Sequence, residues 1–136
     1  MTTPENLPAR FVILSHRSPT GEHWDVMLET DSTLATWSIL PQCPTGGSFT
    51  CPAIRLPDHR KDYLDYEGEI SEGRGTVTRI SAGTYEPRSP EQFLLHSPHF
   101  SGTLTMKGDL MIFESSSPSF PLLSEIPEWD ASRPTT

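Results

Sequence analysis

The chain has little of what several structural classes require. No run approaches the ~18 apolar residues of a membrane span, and the apolar fraction is only 34%. Basic charge is scarce, with 10 Lys and Arg against 18 Asp and Glu and a net charge of −8. Proteins that bind long duplex by neutralising many phosphates carry a basic stripe. Here the richest window, Arg55 to Lys61, holds three basic residues. Extended, non-specific duplex binding is therefore excluded, whereas contacts concentrated at a nucleic-acid end or at a metal are not. Cysteine is nearly absent: Cys43 and Cys51 lie in a loop rich in Pro, Gly, Ser and Thr, and there is no CxxC pair. That excludes a structural zinc site built from thiolates. Two free thiols in a reducing cytoplasm are expected, with a loop-closing disulfide as the lesser alternative. Met1 to Arg10 is polar and has no apolar centre of a secretory signal, so the expected location is cytoplasmic, without a membrane partner. Membrane protein, secreted disulfide scaffold and helical bundle all drop out.

What is present is turn chemistry and short apolar runs. Fourteen Pro and nine Gly in 136 residues punctuate the chain into segments of strand length. A chain of this size forms one domain and buries about two-thirds of its unfolded surface. Phe11 to Ser15 is a continuous apolar run, and Ser18 to Gly21 is a turn. His23 to Glu29 alternates, with Trp24, Val26 and Leu28 on a core face and His23, Asp25, Met27 and Glu29 on a polar face. Thr33 to Leu40, Thr76 to Ile80, Gln92 to Leu95, Gly102 to Met106 and Leu110 to Glu114 complete the strands. Lys107-Gly108-Asp109 marks a hairpin between the last two. Pro41 to Pro52 reads as a loop, and residues 53–70 are irregular. The expected fold is all-β and mostly antiparallel, a small β-barrel of about eight strands with long loops and little helix. The expected divisions are a flexible N-terminus over 1–10, a barrel domain over 11–114 and a Ser/Pro-rich tail over 115–136. Phe120, Leu122, Leu123, Ile126 and Trp129 suggest that part of this tail packs on the domain.

One constellation carries chemistry. His23 and Asp25 project from the same face of a strand, and His16 ends the strand before it. If the two strands pair as a hairpin, His16 sits beside them. Two imidazoles and a carboxylate form a common first shell for a divalent metal such as Mn or Zn, leaving positions open to water or substrate. The plainer alternative, and the weightier on these residues alone, is a set of surface polar groups opposite a core face. A second cluster is Asp58-His59 followed by Tyr63. His59 suits a general acid or a donor to a phosphoryl oxygen, Tyr63 a further donor, and Arg55 a phosphate partner. Its alternative is a polar loop with Tyr63 and Tyr66 packed on the barrel. His96 and His99 have no acidic neighbour in sequence and read as loop histidines. Glu67, Glu69 and Glu72 read as a solvated face.

The order of these residues resembles a known family. Phe11 to His16, His23-Trp24-Asp25 with Leu28-Glu29, Trp37, Asp58-His59, Tyr63, Asp65 to Gly68 with Ile70, Glu72-Gly73, Gly75 to Val77, Gly83 to Pro87 and a Gly102 to Phe113 hairpin are similar to the 3′-phosphoesterase domain of bacterial DNA ligase D. The resemblance spans roughly residues 10–114. It implies a β-barrel holding a divalent metal, Mn first and Zn or Co as alternatives, on His16, His23 and Asp25. It further implies that His59 and Tyr63 contact the phosphate and carry catalysis. The implied activity is metal-dependent trimming of 3′-phosphate or 3′-ribonucleotide DNA ends to a 3′-hydroxyl in repair. The implied partners are DNA 3′ ends or primer-template, with a DNA ligase or polymerase acting in trans.

The departures from the family pattern concentrate on phosphate binding. Met27 stands where the family usually has Arg, Leu14 replaces a Gln and Pro57 replaces a Glu. The interval from His16 to His23 is one residue longer than usual. The metal half is intact while the phosphate half is thinned, leaving Arg55 or Arg17 to compensate. Two alternatives stay open: a non-catalytic module binding nucleic-acid ends or phosphate, and a phosphoesterase for a small phosphorylated substrate.

Overall fold

The computed structural model describes residues 8–116. Within them the chain forms β1 (Ala9–Ser18), β2 (Gly21–Glu29), β3 (Leu34–Ile39), β4 (Phe49–Pro52), β5 (Ile54–His59), β6 (Gly68–Ile70), β7 (Gly75–Ser89), β8 (Gln92–His96), β9 (Gly102–Lys107) and β10 (Leu110–Ser115). A single 3-10 turn, Lys61–Leu64, lies between β5 and β6. Every strand pairing is antiparallel, so the expected class holds. The apolar segment from Phe120 to Trp129 falls outside the described residues. No described helix is long and apolar enough to cross a membrane.

The strands run in the order β4-β10-β9-β8-β7-β1-β2-β3-β5, with β6 added alongside β7. This corrects the expected barrel of about eight strands in two respects. There are ten strands among the described residues, and no ladder joins the edge strands β4 and β5 to close the sheet. These edges are nonetheless consecutive in the chain, divided only at Ala53, whose N–H donates to the Asp109 carbonyl at 2.7 Å. Pro52 and Pro57 have no N–H to give a ladder, and both stand on edge strands, where that absence is tolerated. The end of the supposed Pro41 to Pro52 loop is in fact β4, paired with β10. The supposedly irregular 53–70 stretch contains β5 and β6. Thr76 to Ile80 and Gly83 to Pro87 belong to one 15-residue strand, β7. Cys43 and Cys51 are free thiols, the first exposed and the second buried.

Two apolar layers form on opposite faces of the same strands. From β1, Phe11 and Ile13 enter the larger core beside Trp24, Val26, Leu28, Phe100, Leu104 and Phe113. Val12 and Leu14 enter a second cluster with Met27, Leu34, Leu64 and Val77, against which Tyr63 and Ile70 pack. The face of β2 expected to be polar is therefore covered: Asp25 is 3% exposed and Met27 only 1%. The covering material is the 3-10 turn and β6, which alternation within β2 has no means of revealing.

The cover meets the sheet at Gly75, the first residue of β7. Its φ is +109°, and a Cβ there would lie 1.9 Å from the Arg17 carbonyl oxygen. Gly108, with a φ of +61°, has open space around it and turns the β9–β10 hairpin. Gly75→Ala is expected to lower unfolding free energy by more than ~2 kcal/mol, combining backbone strain with a backbone collision. Gly108→Ala is expected to cost only about 1 kcal/mol, for the left-handed conformation alone. Urea denaturation of the two variants checks the contrast, and equal losses would refute the close approach at Gly75.

Candidate functional site

The β1–β2 register sets His16 directly opposite His23, and Leu14 opposite Asp25. Side chains two apart on a strand share a face, so His16, His23 and Asp25 meet at the polar end of the second cluster. Their ligand atoms all lie within 4.8 Å of one another. His16 Nδ1 is 3.2 Å from His23 Nε2 and 3.9 Å from Asp25 Oδ2. His23 Nε2 is 3.1 Å from Asp25 Oδ1. The hairpin closes through Pro19 and Thr20, with Ser18 paired to Gly21.

Two backbone carbonyls orient the histidines. His16 Nε2 is 2.8 Å from the Arg74 carbonyl oxygen. A carbonyl only accepts, so Nε2 carries the hydrogen and the Nδ1 lone pair faces His23 and Asp25. This outer-shell arrangement is the one that metal-ligating histidines adopt. In the same way His59 Nδ1 donates to the Pro57 carbonyl at 2.9 Å, leaving Nε2 as the atom free for chemistry. His59 ends β5, and its ring stands edge-on to Tyr63 with centroids 5.6 Å apart.

Asp25 is the electrostatic centre of the arrangement. Burial pushes its carboxyl group up from the ordinary range, against the pull of His23, His16 and His59. Its Oδ1 is buried and, although 3.1 Å from His23 Nε2, has no hydrogen bond of good geometry. Leaving such an atom unsatisfied costs more than an ordinary hydrogen bond contributes. A cation shared with two imidazole lone pairs would satisfy it. The donor set therefore fits a divalent metal on chemical grounds, independently of the family resemblance.

His16, Asp25, Met27, His59, Tyr63, Ile70, Arg74 and Val77 line one small cavity. The two clusters anticipated from sequence thus share a site, with the half-exposed His23 at its side. Arg55 is not among the lining residues. Its guanidinium donates to Asp58 Oδ1 at 2.9 Å and lies 4.9 Å over the Trp37 ring. The hydrogen bonds from Thr33 and Arg55 hold the exposed Asp58 carboxyl below its usual range. Arg17 is drawn to Glu22, 3.7 Å away. His96 does have an acidic neighbour, Glu86, 3.1 Å away across the β7–β8 pair, but neither it nor His99 joins the site. Glu67 is exposed, as expected of a solvated face, and accepts the Arg79 backbone N–H at 2.6 Å.

The residue that sequence reasoning passed over is Arg74. Gly73-Arg74-Gly75 reads as punctuation, yet a long cation between two glycines is a signal for a side chain presented by a tight turn. Among the described residues no carboxylate pairs with Arg74. Its Nε and Nη2 donate to the Ser71 carbonyl and hydroxyl, each at 3.0 Å.

The family described as the DNA ligase D 3′-phosphoesterase domain matches residues 14–113. The chain is similar to the multifunctional non-homologous end joining DNA repair protein LigD of Mycobacterium tuberculosis strain H37Rv, with 32% identity over 96 residues, which are 62% of this chain and 12% of that protein. It is also similar to the multifunctional non-homologous end joining protein LigD of Pseudomonas aeruginosa, with 33% identity over 86 residues, 60% of this chain and 10% of that protein. The chain spans about a tenth of the length of these curated relatives.

Met27 packs against Val12, Leu14 and Leu34 at the base of the cavity. Met27→Arg is therefore expected to destabilise the fold by ~2 kcal/mol or more, because it sets a guanidinium into an apolar cluster. Thermal and urea unfolding check this. An unchanged unfolding midpoint would mean that the cavity has room for the charge.

Proposed function

The chain belongs to the DNA ligase D 3′-phosphoesterase family, and from that membership we propose that it is a metal-dependent 3′-phosphoesterase of DNA repair. It would trim 3′-phosphate or 3′-ribonucleotide ends to a 3′-hydroxyl, acting on DNA 3′ ends or primer-template ahead of a ligase or polymerase. The observation that carries this reading is the convergence of His16, His23 and the unsatisfied Asp25 oxygen beside His59 and Tyr63. Two unrelated stretches of chain supply these groups, and a general solvated face has no reason to bring them together.

His16, His23 and Asp25 would hold the metal, with Mn the first choice and Zn or Co alternatives on the same donors. When bound, it supplies Lewis-acid polarisation of a phosphoryl oxygen and lowers the pKa of water. The remaining work falls to the chain. The Arg74 carbonyl keeps the His16 lone pair turned inward, and Asp25 offers compensating negative charge in a buried setting. His59 is held through Nδ1, which leaves Nε2 for the phosphate; as the imidazolium it would donate there and give that proton to the departing oxygen as water bonds to phosphorus and the P–O bond breaks. The Tyr63 hydroxyl would donate to a non-bridging oxygen and orient the group.

A second reading has a specific observation in its favour. The family's phosphate-binding Arg is Met27 here, buried in an apolar cluster, so the same pocket would suit a module that binds 3′ ends or phosphate without turnover. The losses differ between the readings: removing a charge-assisted contact that acts in the transition state costs ~1.5–3 kcal/mol, or about ten- to a hundred-fold in rate.

The test is a Mn-supplemented assay on primer-template ending in a 3′-phosphate or a single 3′-ribonucleotide, with His16→Ala, Asp25→Ala and His59→Ala run alongside. Turnover by the wild type and at least a hundred-fold loss in each variant are expected. Mn is also expected to raise the wild-type melting temperature, as any ligand specific to the native state does, and not to raise that of Asp25→Ala. Wild-type turnover unchanged by His16→Ala would overturn the metal assignment. Mn binding without turnover on any phosphate ester would favour the binding module.

A further inference from the structure

The cavity beside His16, Asp25, His59 and Tyr63 has a volume of about 80 Å³. That is the space of two or three waters at ~30 Å³ each. A phosphoryl group would fill it, and whatever bears that group would have to leave through the mouth. A second cavity shares Tyr63, Ile70 and Arg74 with the first and measures about 310 Å³. This is at the lower end of the ~300–1,000 Å³ range of small-ligand sites.

We propose that this groove seats the terminal nucleoside of a DNA 3′ end, and that Arg74, at the junction of the two cavities, is the guanidinium that contacts its phosphate. The proposal rests on the phosphoesterase reading and specifies how this chain meets its substrate without an arginine at position 27.

Four observations support it. First, Arg74 and Arg60 line the groove and neither pairs with a carboxylate among the described residues. Arg10, Arg17, Arg55 and Arg88 each approach one, Asp65, Glu22, Asp58 and Glu86 respectively; Arg79 also lacks one, but its Nε is buried and it lines neither cavity. In a chain of net charge −8, uncommitted guanidinium groups on one groove mark a place for an anion. Second, the Arg74 side chain is preorganised. Two of its donors are anchored on Ser71, and its own carbonyl is the group that orients His16.

Third, the groove has an aromatic wall. Tyr66 is 39% exposed and stands perpendicular to Tyr63 with centroids 6.0 Å apart. Its hydroxyl donates to the Glu69 carbonyl, which fixes the ring as a surface on which a base can stack. Fourth, Asp62 and Glu69 also line the groove, so its side-chain charges balance. A charge-balanced groove beside one phosphate pocket suits a single nucleotide and not a track along a duplex backbone.

The experiment measures binding of a short labelled single strand ending in a 3′-phosphate by fluorescence anisotropy, with chelator present to prevent turnover. Turnover of the same strand and of an aryl phosphate is then measured with Mn. Arg74→Ala is expected to weaken strand binding tenfold or more, with partial recovery in Arg74→Lys. Arg60→Ala and Tyr66→Ala are expected to weaken strand binding about three- to tenfold while leaving aryl phosphate turnover unchanged. Tyr66→Phe, which keeps the ring, retains binding and covers the case in which Tyr66→Ala unfolds. Arg88→Ala, at the far end of β7, serves as the neutral control.

Strand binding by Arg74→Ala equal to wild type overturns the phosphate assignment. Equal binding by Arg60→Ala and Tyr66→Ala overturns the groove, as does a wild type that binds no strand at millimolar concentration. The two readings fail separately. Wild-type turnover with binding insensitive to these variants keeps the phosphoesterase and removes the groove. Groove-dependent binding without turnover removes the phosphoesterase and keeps the nucleotide site.

Discussion

The site depends on the β1–β2 hairpin being buried on both faces. Phe11, Ile13, Trp24, Val26 and Leu28 fill the main core, while Val12, Leu14 and Met27 lie under the 3-10 turn and β6. A hairpin with one solvated face would leave His16, His23 and Asp25 as ordinary surface groups. Under a cover, the same three residues share a small, water-poor space in which charge is poorly screened and an unpaired oxygen is costly. The raised carboxyl of Asp25 and its unaccommodated oxygen are consequences of that cover.

The cover also supplies the orientation. Its return into β7 passes so close to β1 that a side chain at Gly75 would strike the Arg17 carbonyl. That approach carries the Arg74 carbonyl to His16 and the Arg74 side chain to the mouth of the cavity. On the opposite wall, the Pro57 carbonyl turns His59 by the same kind of bond. The tautomers of His16 and His59 are each set by a backbone acceptor, which is less easily altered by substitution than a side chain.

The three departures from the family pattern form a coherent set in this setting. Met27 and Leu14 are neighbours in one apolar cluster, and Pro57 contributes a backbone acceptor where a carboxylate would stand. Polar groups at those positions would form a network that must be satisfied in full to be tolerated. Here the wall is apolar, and the uncommitted guanidinium enters from the turn before β7. On the proposed reading, the positive charge that a phosphate requires comes from a different direction.

Much of this was legible in the chain itself. Strand-length apolar runs, turn residues at Ser18 to Gly21 and at Lys107 to Asp109, and the period-two alternation of β2 determine an antiparallel β protein. The spacing of His23 and Asp25 commits both to one face. These are local properties, set by the pleat and by the dihedral angles that glycine and proline allow. What the chain could not disclose is what lies across from each face. The Phe49–Pro52 strand, the burial of Met27 and Asp25, the withdrawal of Arg55 to Asp58 and Trp37, and the arrival of Arg74 at the cavity all depend on pairing between segments distant in sequence. Local patterning sets which way a side chain points; only tertiary structure decides what it meets there, because burial and electrostatics depend on neighbours from elsewhere in the chain.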